Sequence, residues 1–456
     1  MQNLPVYVKG FLMIVILGGG PAGRIASIRL ASAGKDVQLI EAGGIGGQCL
    51  HFGCMPVCAL NDISRFIHSS RIFHSLGIVD TIPEIRFSTI FPEMHAIQEK
   101  IASVLDTETR SAGVNIIYGK TGRLEGRKVF IGNEPMDAEA VIAATGSRPN
   151  IPDIEGVDLD GVYTPHTLPG MKKLPRKLAI IGGGVMAAEF AYIFSMFGSE
   201  VSIFSRSTFL KNTDRHLRSL AIKELEGVEI YEDTCVQSIS GSSHVHSVCV
   251  RTDEKAESID ADAALIAAGL IPRSEMLKGV KKGPVGEVIV DCQMQTSVPG
   301  VYACGDVTGP PYLTPVARYQ GIIAADTILK KPRTMDMRYI PQSINLAHEL
   351  AFCTPEAEGA GSIVIPGPAG PGTFWSVPHG DTGLAKVLFD PENGALLGIC
   401  TAGPGGGLIA GYMAFLMKRH FSVHDFDEFI EVHPSTDGIY GLLKYTSDIL
   451  KKRSGN

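Results

Sequence analysis

The sequence predicts an α/β protein with two Rossmann-like dinucleotide-binding domains and a C-terminal α+β dimerisation domain. Three observations predict this class. A glycine-rich turn between a strand and a helix occurs twice, about 160 residues apart, and a second strand follows each copy. The chain after residue 337 carries no such motif and alternates short strands with helices, so an assembly role is expected for it. The length of 456 residues and a hydrophobic content of 45% are enough for several large cores.

The first glycine-rich turn has every element expected of a dinucleotide site. A predicted strand (residues 14–17) precedes the turn, and a predicted helix (24–33) and a second strand (37–40) follow it. The second strand leads into Glu41, in the position that binds a ribose hydroxyl. The turn would hold a pyrophosphate at the N-terminus of the helix. The turn residues assigned to binding are Gly18, Gly20, Pro21 and Gly23.

The second glycine-rich turn follows a predicted strand (178–181) and departs from the first copy at two positions. Ala187 occupies the third glycine position, and Ser205 stands where an acidic residue would select NAD. Arg206 offers a cation to a 2′-phosphate, which favours NADP(H) over NAD(H). The alternative is that Arg206 is a solvated surface residue. The residues assigned to this site are Gly182, Gly184, Ser205, Arg206 and Gly269.

Two cysteines lie between the two nucleotide patterns. Cys49 and Cys54 are separated by four residues. Five steps along a regular helix rise about 7.5 Å, whereas a disulfide needs Cα atoms within about 7 Å. A bridge would therefore need a distorted turn, for which Gly53 provides backbone freedom. The alternative is a pair of small buried side chains.

The remaining cysteines and the charge exclude several classes of protein. Nine cysteines in 456 residues are too few for a secreted disulfide scaffold and suit a reducing cytosol, so a cytoplasmic location is expected. The net charge of −7 argues against a nucleic-acid partner. The apolar run at residues 11–17 is too short to span a bilayer, and no membrane partner is expected. Buried packing is predicted for Cys235, Cys249, Cys292, Cys304, Cys353 and Cys400.

These features together resemble the pyridine nucleotide–disulfide oxidoreductases, the family of dihydrolipoamide dehydrogenase, glutathione reductase and mercuric reductase. The Cys49–Cys54 motif, the strand ending in Gly305 and Asp306, and the order of the elements carry the resemblance. It implies FAD on the first fold, with Asp306 at the ribityl chain, NAD(P)H on the second fold, and a homodimer. Further cofactor-binding residues under this resemblance are Gly47, Thr145, Gly146, Glu189, Gly305 and Ala317.

The resemblance also assigns a role to each predicted domain. A Pro-containing stretch at residues 149–152 marks the first boundary, and Met13 is a plausible alternative start. The expected order is an N-terminal appendage (1–12), the first part of the FAD-binding domain (13–150), the NAD(P)-binding domain (151–272), the second, central part of the FAD-binding domain (273–336) and the dimerisation domain (337–456).

The mechanism implied by the resemblance is hydride transfer between nicotinamide and flavin, coupled to dithiol–disulfide exchange. Cys54 would lie against the flavin as the charge-transfer thiolate, and Cys49 would exchange with the substrate. His433, in a His-Pro motif with Pro434, would act from the partner subunit as general acid–base, because imidazole titrates near working pH.

The sequence departs from the family at the cysteine motif. The family usually continues this motif with Pro-Ser-Lys, whereas this chain has Pro56, Val57 and Cys58. Without that lysine, Glu189 is expected to lack its cation, and the flavin potential should fall because a positive charge stabilises the reduced flavin. Cys58 is expected to be inert packing, or alternatively a third thiol able to trap metals or mixed disulfides.

The sequence also departs from the family around the histidine. Gly438 stands where the family has the glutamate that orients the histidine, and Asp437, one step earlier, is the candidate substitute. A weaker orienting bond would lower the basicity of the histidine. Glu431 replaces the first histidine of the lipoamide enzyme's His-x-His-Pro motif.

Dihydrolipoamide dehydrogenase is the best functional match, with a small dithiol/disulfide or a lipoyl-carrying protein as substrate. Two alternatives stay open. Residues 313–317 and Arg206 favour an NADPH-dependent reductase of low-molecular-weight disulfides of the glutathione type. The lost lysine and glutamate favour a flavoprotein redox sensor or electron-transfer subunit. A mercuric reductase is expected to have further cysteines near the C-terminus, and residues 439–456 contain none.

Overall fold

The structure is a computed structural model that describes residues 13–251, 255–355, 359–435 and 438–454. The expected N-terminal appendage lies outside these residues. The described α-helices are α1 (Pro21–Ser32), α2 (Gly47–His51), α3 (Cys54–Ser75), α4 (Phe87–Ser111), α5 (Val185–Phe197), α6 (Arg215–Glu224), α7 (Thr314–Ile328), α8 (Gly406–Lys418) and α9 (Gly438–Ser454).

The strands within the described residues are short and fall into six sheets. Those before residue 242 are β1 (Ile14–Leu17), β2 (Val37–Glu41), β3 (Asn115–Tyr118), β4 (Gly122–Glu125), β5 (Lys128–Ile131), β6 (Glu134–Met136), β7 (Ala140–Ala143), β8 (Ser147–Pro149), β9 (Val162–Tyr163), β10 (Lys177–Ile181), β11 (Glu200–Phe204), β12 (Glu229–Tyr231) and β13 (Cys235–Gly241). The later ones are β14 (Val245–Arg251), β15 (Ala256–Asp260), β16 (Ala263–Ile266), β17 (Leu270–Pro272), β18 (Leu277–Lys278), β19 (Val301–Ala303), β20 (Gln342–Asn345), β21 (Glu349–Cys353), β22 (Gly361–Pro366), β23 (Leu384–Phe389) and β24 (Leu396–Gly403).

The chain folds as two compact units. The first unit contains the described residues up to Pro56 together with Thr89–Asn150 and Leu270–Met335. The second contains the described residues of Val57–Ser88, Ile151–Gly269 and Asp336–Asn456.

A parallel sheet of order β19-β7-β1-β2-β3 forms the centre of the first unit. Both faces of β1 are covered. Ile14 and Ile16 pack in a cluster with residues of α1 and α7, whereas Val15 and Leu17 pack against the sheet β18-β4-β5-β6. This arrangement explains why β1 is a continuous apolar run, as in other parallel sheets buried on both sides. The carboxyl end of β1 leads directly into the first glycine turn.

The second unit holds the other nucleotide fold and the C-terminal sheet. Its parallel sheet has the order β12-β11-β10-β16-β9, and Ala179 and Ile181 of β10 pack on the antiparallel sheet β13-β14-β15. The C-terminal sheet, β20-β21-β24-β23-β22, is antiparallel. Val387 and Ile399 of that sheet pack in one cluster with residues of α8 and α9. The predicted α/β class with two nucleotide folds and a C-terminal α+β region is confirmed.

The helical spacing of polar and apolar residues over 61–110 predicts helical structure there, and the structure has two helices, α3 and α4, separated by residues 76–86. Gly77, with φ of 70°, follows the end of α3 in the left-handed conformation that commonly terminates helices, and Pro83 lies in the connection. Apolar residues keep helical spacing on both sides of this break, so the spacing alone does not indicate where α3 ends.

Candidate active site

The first glycine turn is shaped by two close backbone approaches. Gly18 has φ of 104°, and a Cβ there would lie 2.3 Å from the carbonyl oxygen of Ala144. A Cβ on Gly23 would lie 2.0 Å from the carbonyl oxygen of Gly18. Pro21 opens α1, where its missing N–H costs no helical hydrogen bond. A Cβ on Gly20 would meet only the Cα of Gly47, at 3.8 Å, so this glycine leaves space beside the helix N-terminus.

Glu41 and Gly47 close the same turn from the other side. The carboxylate of Glu41 accepts hydrogen bonds from the amides of Gly19 at 2.5 Å and Gly43 at 2.6 Å. Gly47 has φ of 56°, and a Cβ there would lie 2.7 Å from the Cα of Gly20. The acidic side chain therefore lies at the tip of the turn, where a ribose hydroxyl would compete for it. The arrangement fits a dinucleotide at this turn.

Asp306 lies in a buried part of the same unit. It follows Gly305, which has φ of 77° and where a Cβ would lie 3.0 Å from Cβ of Ala22 and 3.6 Å from Cβ of Ala317. The Ser147 hydroxyl donates a hydrogen bond to the Asp306 carboxylate at 2.7 Å, and burial raises the pKa of that carboxyl above its usual range. A polar group of this kind suits hydrogen bonding to a hydroxylated chain such as ribityl.

Thr145 and Gly146 hold the segment between β7 and β8. The Thr145 hydroxyl donates to the carbonyl of Arg273 at 2.6 Å, and the carbonyl of Gly146 accepts from the Arg273 amide at 2.9 Å. Gly146 has φ of 73°. These hydrogen bonds to Arg273 therefore hold the backbone of Thr145 and Gly146 in place next to Ser147.

The two cysteines lie where α2 gives way to α3. Cys49 is inside α2, and Cys54 is the first residue of α3. Both cysteines are free thiols in the structure, the helix is broken between them, and Gly53 takes no left-handed φ. It is instead closely packed, since a Cβ there would lie 3.2 Å from the carbonyl oxygen of Gln48. The Gln98 side chain, from α4, donates to the carbonyl of Leu50 at 2.8 Å and so anchors α2.

The two thiols interact with each other and with Thr314. Cys54 is hydrogen bonded to Cys49, and its Sγ lies 3.5 Å from the hydroxyl oxygen of Thr314, the first residue of α7. The bond with Cys49 is the main cause that holds the pKa of the Cys54 thiol above its usual range. Although Cys54 reaches the surface, enough protein surrounds its sulfur for desolvation to add to the shift. The reduced pair therefore titrates as a unit that resists double ionisation.

Glu189 and Cys58 lie in the second unit. Cys58 is exposed on α3, one turn beyond Cys54, so the packing role expected for it is wrong. Glu189 of α5 is buried, and one carboxylate oxygen accepts hydrogen bonds from the amide of Asn345 at 2.9 Å and from its side chain at 3.1 Å. Neutral donors thus hydrogen bond to Glu189. Sequence reasoning missed Asn345, which lies 156 residues away and belongs to no motif.

The second glycine turn repeats the first with differences. A Cβ on Gly182 would lie 2.2 Å from the carbonyl oxygen of Ala267, whereas a Cβ on Gly184 would meet no atom within 4 Å. The buried hydroxyl of Ser205 donates to the carbonyl of Ser207 at 2.7 Å, and Arg206 is exposed. A Cβ on Gly269, at φ of 97°, would also meet nothing. The space beside the N-terminus of α5 fits a dinucleotide, and no acidic side chain occupies position 205.

The His-Pro segment precedes α9. His433 is exposed, and Glu431 pairs with Lys444 at 2.8 Å, a hydrogen bond that lowers the pKa of this carboxyl. Gly438 opens α9, and a Cβ there would lie 2.5 Å from Cδ of Pro368. The structure therefore has no room for a side chain at the position of the family's orienting glutamate. Asp437, the candidate substitute, lies outside the described residues.

Half of the cysteines predicted to be buried are not. Cys304, Cys353 and Cys400 are buried, as expected. Cys235 and Cys292 are exposed, and Cys249 is half-buried. Cys235 and Cys249 lie on two paired strands of a three-stranded sheet, in which alternate residues leave the core, and Cys292 lies in a turn.

No helix within the described ranges is long and apolar enough to cross a membrane.

Two family models match the chain. The pyridine nucleotide-disulphide oxidoreductase model matches residues 12–321, and the model of the dimerisation domain of the same group matches residues 369–440.

Several relatives are similar over most of this chain. The dihydrolipoyl dehydrogenase of Bacillus subtilis is 27% identical, covering 93% of this chain and 96% of that protein. The dihydrolipoyl dehydrogenase of Acholeplasma laidlawii is 32% identical over 70% of this chain and 96% of that protein. The mercuric reductase of Lysinibacillus sphaericus is 26% identical, with 94% and 81% covered. Among solved structures, the HOCl-induced flavoprotein disulfide reductase RclA of Escherichia coli has the same fold, with a TM-score of 0.81, 24% identity, and 94% and 99% covered.

Proposed function

This chain belongs to the pyridine nucleotide-disulphide oxidoreductase family, and from that premise we propose that it couples NAD(P)H to a dithiol/disulfide substrate through FAD and the Cys49–Cys54 pair. The observation that carries the proposal is the junction of α2 and α3, where both sulfurs and Thr314 meet in the unit that contains the first glycine turn. FAD held at the first glycine turn would supply the two-electron chemistry that links NAD(P)H to the cysteine disulfide. The net reaction is NAD(P)H + H⁺ + RSSR → NAD(P)⁺ + 2 RSH, or its reverse.

Some residues of the first unit would bind FAD, and its two cysteines would exchange with the substrate disulfide. The glycine turn and the N-terminus of α1 would bind the pyrophosphate, Glu41 a ribose hydroxyl, and Asp306 the ribityl chain. The Cys49 thiolate attacks the substrate disulfide and forms a mixed disulfide, and the first RSH leaves with a proton from His433 of the partner subunit. The Cys54 thiolate then attacks the sulfur of Cys49, which restores the cysteine disulfide and releases the second product as a thiolate that takes up a proton from solvent.

Anaerobic titration with NADPH and NADH tests this function in three single variants. Cys54→Ser should lose both disulfide turnover and the long-wavelength thiolate–flavin absorbance at two-electron reduction. Cys49→Ser has no disulfide to reduce, so the Cys54 thiolate should give this absorbance before reductant is added, lose it when the nucleotide reduces the flavin, and support no turnover. Cys58→Ser is the control, because Cys58 is exposed outside the exchanging pair, and it should retain at least half of the wild-type rate. Absence of turnover with lipoamide, oxidised glutathione and coenzyme A disulfide alike would refute the proposal.

We propose a lipoyl group as the first substrate to test, because several relatives are named dihydrolipoyl dehydrogenase. A glutathione-type disulfide is the alternative.

A redox-sensing or electron-transfer role is a third candidate, and the packing of Gly438 against Pro368 favours it, since no carboxylate can stand there to orient a histidine. In that case the enzyme would form the thiolate–flavin absorbance yet turn over no disulfide. A pair that cycles through the dithiol suits a cytoplasmic location.

We also propose that Arg206 selects NADP(H). Its exposed guanidinium follows the neutral Ser205, so a 2′-phosphate would meet a cation and no carboxylate. Arg206→Glu should raise KM for NADPH about tenfold or more and leave that for NADH within about twofold, since a charge pair of about 1.4 kcal/mol corresponds to a factor of ten. Stopped-flow reduction by each nucleotide measures it. Much faster reduction of the wild-type enzyme by NADH than by NADPH would contradict the assignment.

A further inference from the structure

Three side chains that commonly bind metals converge in the second unit, outside the nucleotide turns. Glu224 is the last residue of α6, and His348 lies in the turn between β20 and β21. Asp381 follows Gly380, whose left-handed φ of 64° ends the short turn Phe374–His379. One nitrogen or oxygen atom from each of the three side chains lies within 4.8 Å of the other two.

Two of these side chains are already fixed to one another. The His348 side chain is 7% exposed and that of Glu224 is 2% exposed. His348 Nδ1 lies 2.6 Å from Oε1 of Glu224, and the His348 amide donates to Oε2 of the same carboxylate at 3.2 Å. A proton therefore lies between the imidazole and the carboxylate, in the place where a cation could bind both.

The third side chain contributes an oxygen without a hydrogen-bond partner. Asp381 Oδ1 is buried and accepts no hydrogen bond, and the Nζ of Lys223 stands 4.0 Å from it. The hydroxyl of Tyr192, a fully buried residue of α5, also lacks a partner. Burial raises the pKa of Tyr192; the charges of Glu224 and Asp381 add to the shift, and those of Arg65 and Arg71 oppose it. Buried polar atoms are normally satisfied, so the unpartnered Asp381 oxygen beside His348 and Glu224 indicates a missing occupant.

We propose that Glu224, His348 and Asp381 form a binding site for a divalent transition-metal ion. One imidazole and two carboxylates supply three ligands with a summed charge of about −2, and three protein ligands leave a position for water. Binding releases the proton shared by His348 and Glu224, so that M²⁺ replaces H⁺. Because two of the three ligands are hard oxygens, Mn²⁺ is the suitable probe.

Two cationic side chains lie near the cluster: Lys223, whose Nζ is 4.0 Å from Asp381 Oδ1, and Arg65, whose Nη2 is buried without a hydrogen-bond partner. The guanidinium of Arg65 donates to the carbonyl of Leu346 at 2.8 Å and lies 3.9 Å from Glu349. Burial lowers the pKa of His68, which keeps this neighbouring imidazole neutral at pH 7. A bound metal would connect α6, the β20–β21 turn and the segment after residue 380, which are distant in sequence.

The test is a titration of the oxidised holoenzyme with Mn²⁺, followed by the EPR signal of the free ion. Oxidation holds the active-site sulfurs in a disulfide, which removes them as ligands. The wild-type enzyme should bind one Mn²⁺ per chain, and its thermal midpoint should rise with added Mn²⁺. Asp381→Asn keeps the shape of the side chain and should weaken binding at least tenfold. His348→Gln should do the same.

Asp336→Asn is the matched control, because Asp336 belongs to the same unit and pairs with Arg338 at 3.0 Å outside the cluster. It should bind Mn²⁺ with wild-type affinity. Absence of saturable Mn²⁺ binding to the wild-type enzyme would overturn the proposal, and so would equal affinity of wild type and Asp381→Asn. Neither readout depends on disulfide turnover, so failure of this site and failure of the proposed function are distinguishable.

Discussion

At the scale of single residues, the Thr314 hydroxyl is placed to stabilise charge on Cys54. It lies 3.5 Å from Sγ, and its hydrogen bond acts to lower the pKa of that thiol, against the larger effects of Cys49 and desolvation. Thr314→Val should therefore raise the pH midpoint for formation of the thiolate. A hydrogen bond to a charged group contributes about 1.5 kcal/mol, or about one pKa unit. The measurement is a pH titration of the long-wavelength absorbance of the reduced holoenzyme.

Thr314→Ser is the control for this prediction, because it keeps the hydroxyl and removes only a methyl group. Its midpoint should match that of the wild-type enzyme. An equal upward shift in both variants would show that packing at the start of α7, and not the hydroxyl, sets the ionisation of Cys54.

Burial of Cys304 gives a second prediction at this scale. Burial raises the pKa of the Cys304 thiol to about 12 and that of Cys353 to about 12. Iodoacetamide at pH 8.5 should therefore label Cys58, Cys235 and Cys292 in the native protein, while Cys304 and Cys353 react only after unfolding. Mass spectrometry of the peptides measures this. Native labelling of Cys304 at the rate of Cys235 would contradict it.

The same shift has a consequence for stability. The pKa of Cys304 is raised in the folded state, and an unfolded thiol ionises near pH 8.5. The contribution of this residue to stability is therefore complete below about pH 8.5 and is lost as the pH rises towards 12. Free energies of unfolding of wild type and Cys304→Ala should accordingly converge between pH 8 and pH 10.

At the scale of elements, the two kinds of glycine in the first turn should behave differently on substitution. Gly23→Ala places a Cβ 2.0 Å from a backbone oxygen that cannot move freely, and overpacking of this kind costs about 1–3 kcal/mol. Gly20→Ala fits the protein itself, since its Cβ would meet only an atom at 3.8 Å, but it fills the space expected for the pyrophosphate.

Urea unfolding of FAD-free protein and the FAD content of purified protein separate these two effects. Gly23→Ala should lower the free energy of unfolding, whereas Gly20→Ala should leave it within about 0.5 kcal/mol of wild type and reduce the bound FAD. If Gly20→Ala retains full FAD, the pyrophosphate does not approach the turn at this residue.

Elements with local signals were predictable from the sequence. Both glycine turns lie between the strand and the helix expected of them, because a buried parallel strand is a continuous apolar run and glycine marks its end. The break between α3 and α4 was missed, since apolar spacing continues on both sides of Gly77. Hydrogen bonds across long separations, such as that of Asn345 with Glu189, were also missed. They depend on which elements meet in the fold, and no local pattern encodes this.

At the scale of the whole molecule, α8 presents an apolar face that the single chain leaves exposed. Leu408 is 71% exposed, Tyr412 is 70% exposed and Phe415 is 56% exposed, and their spacing places them on one side of the helix. Ile430 and Val432, near His433, are 90% and 78% exposed. A continuous apolar face of this kind marks a protein interface. It agrees with the match of residues 369–440 to a dimerisation domain.

We therefore predict that Tyr412→Glu separates the two half-reactions of the enzyme. A charge on this face should produce a monomer in light scattering after gel filtration, while NAD(P)H still reduces the flavin. Disulfide turnover should fall about 100-fold or more, because His433 would come from the partner subunit and general acid–base catalysis contributes at least that factor. Val104→Glu is the control, at a side chain of α4 that is 56% exposed, and it should remain a fully active dimer. A Tyr412→Glu monomer with wild-type turnover would show that each chain completes its own site, and that His433 of the partner subunit has no part in the exchange.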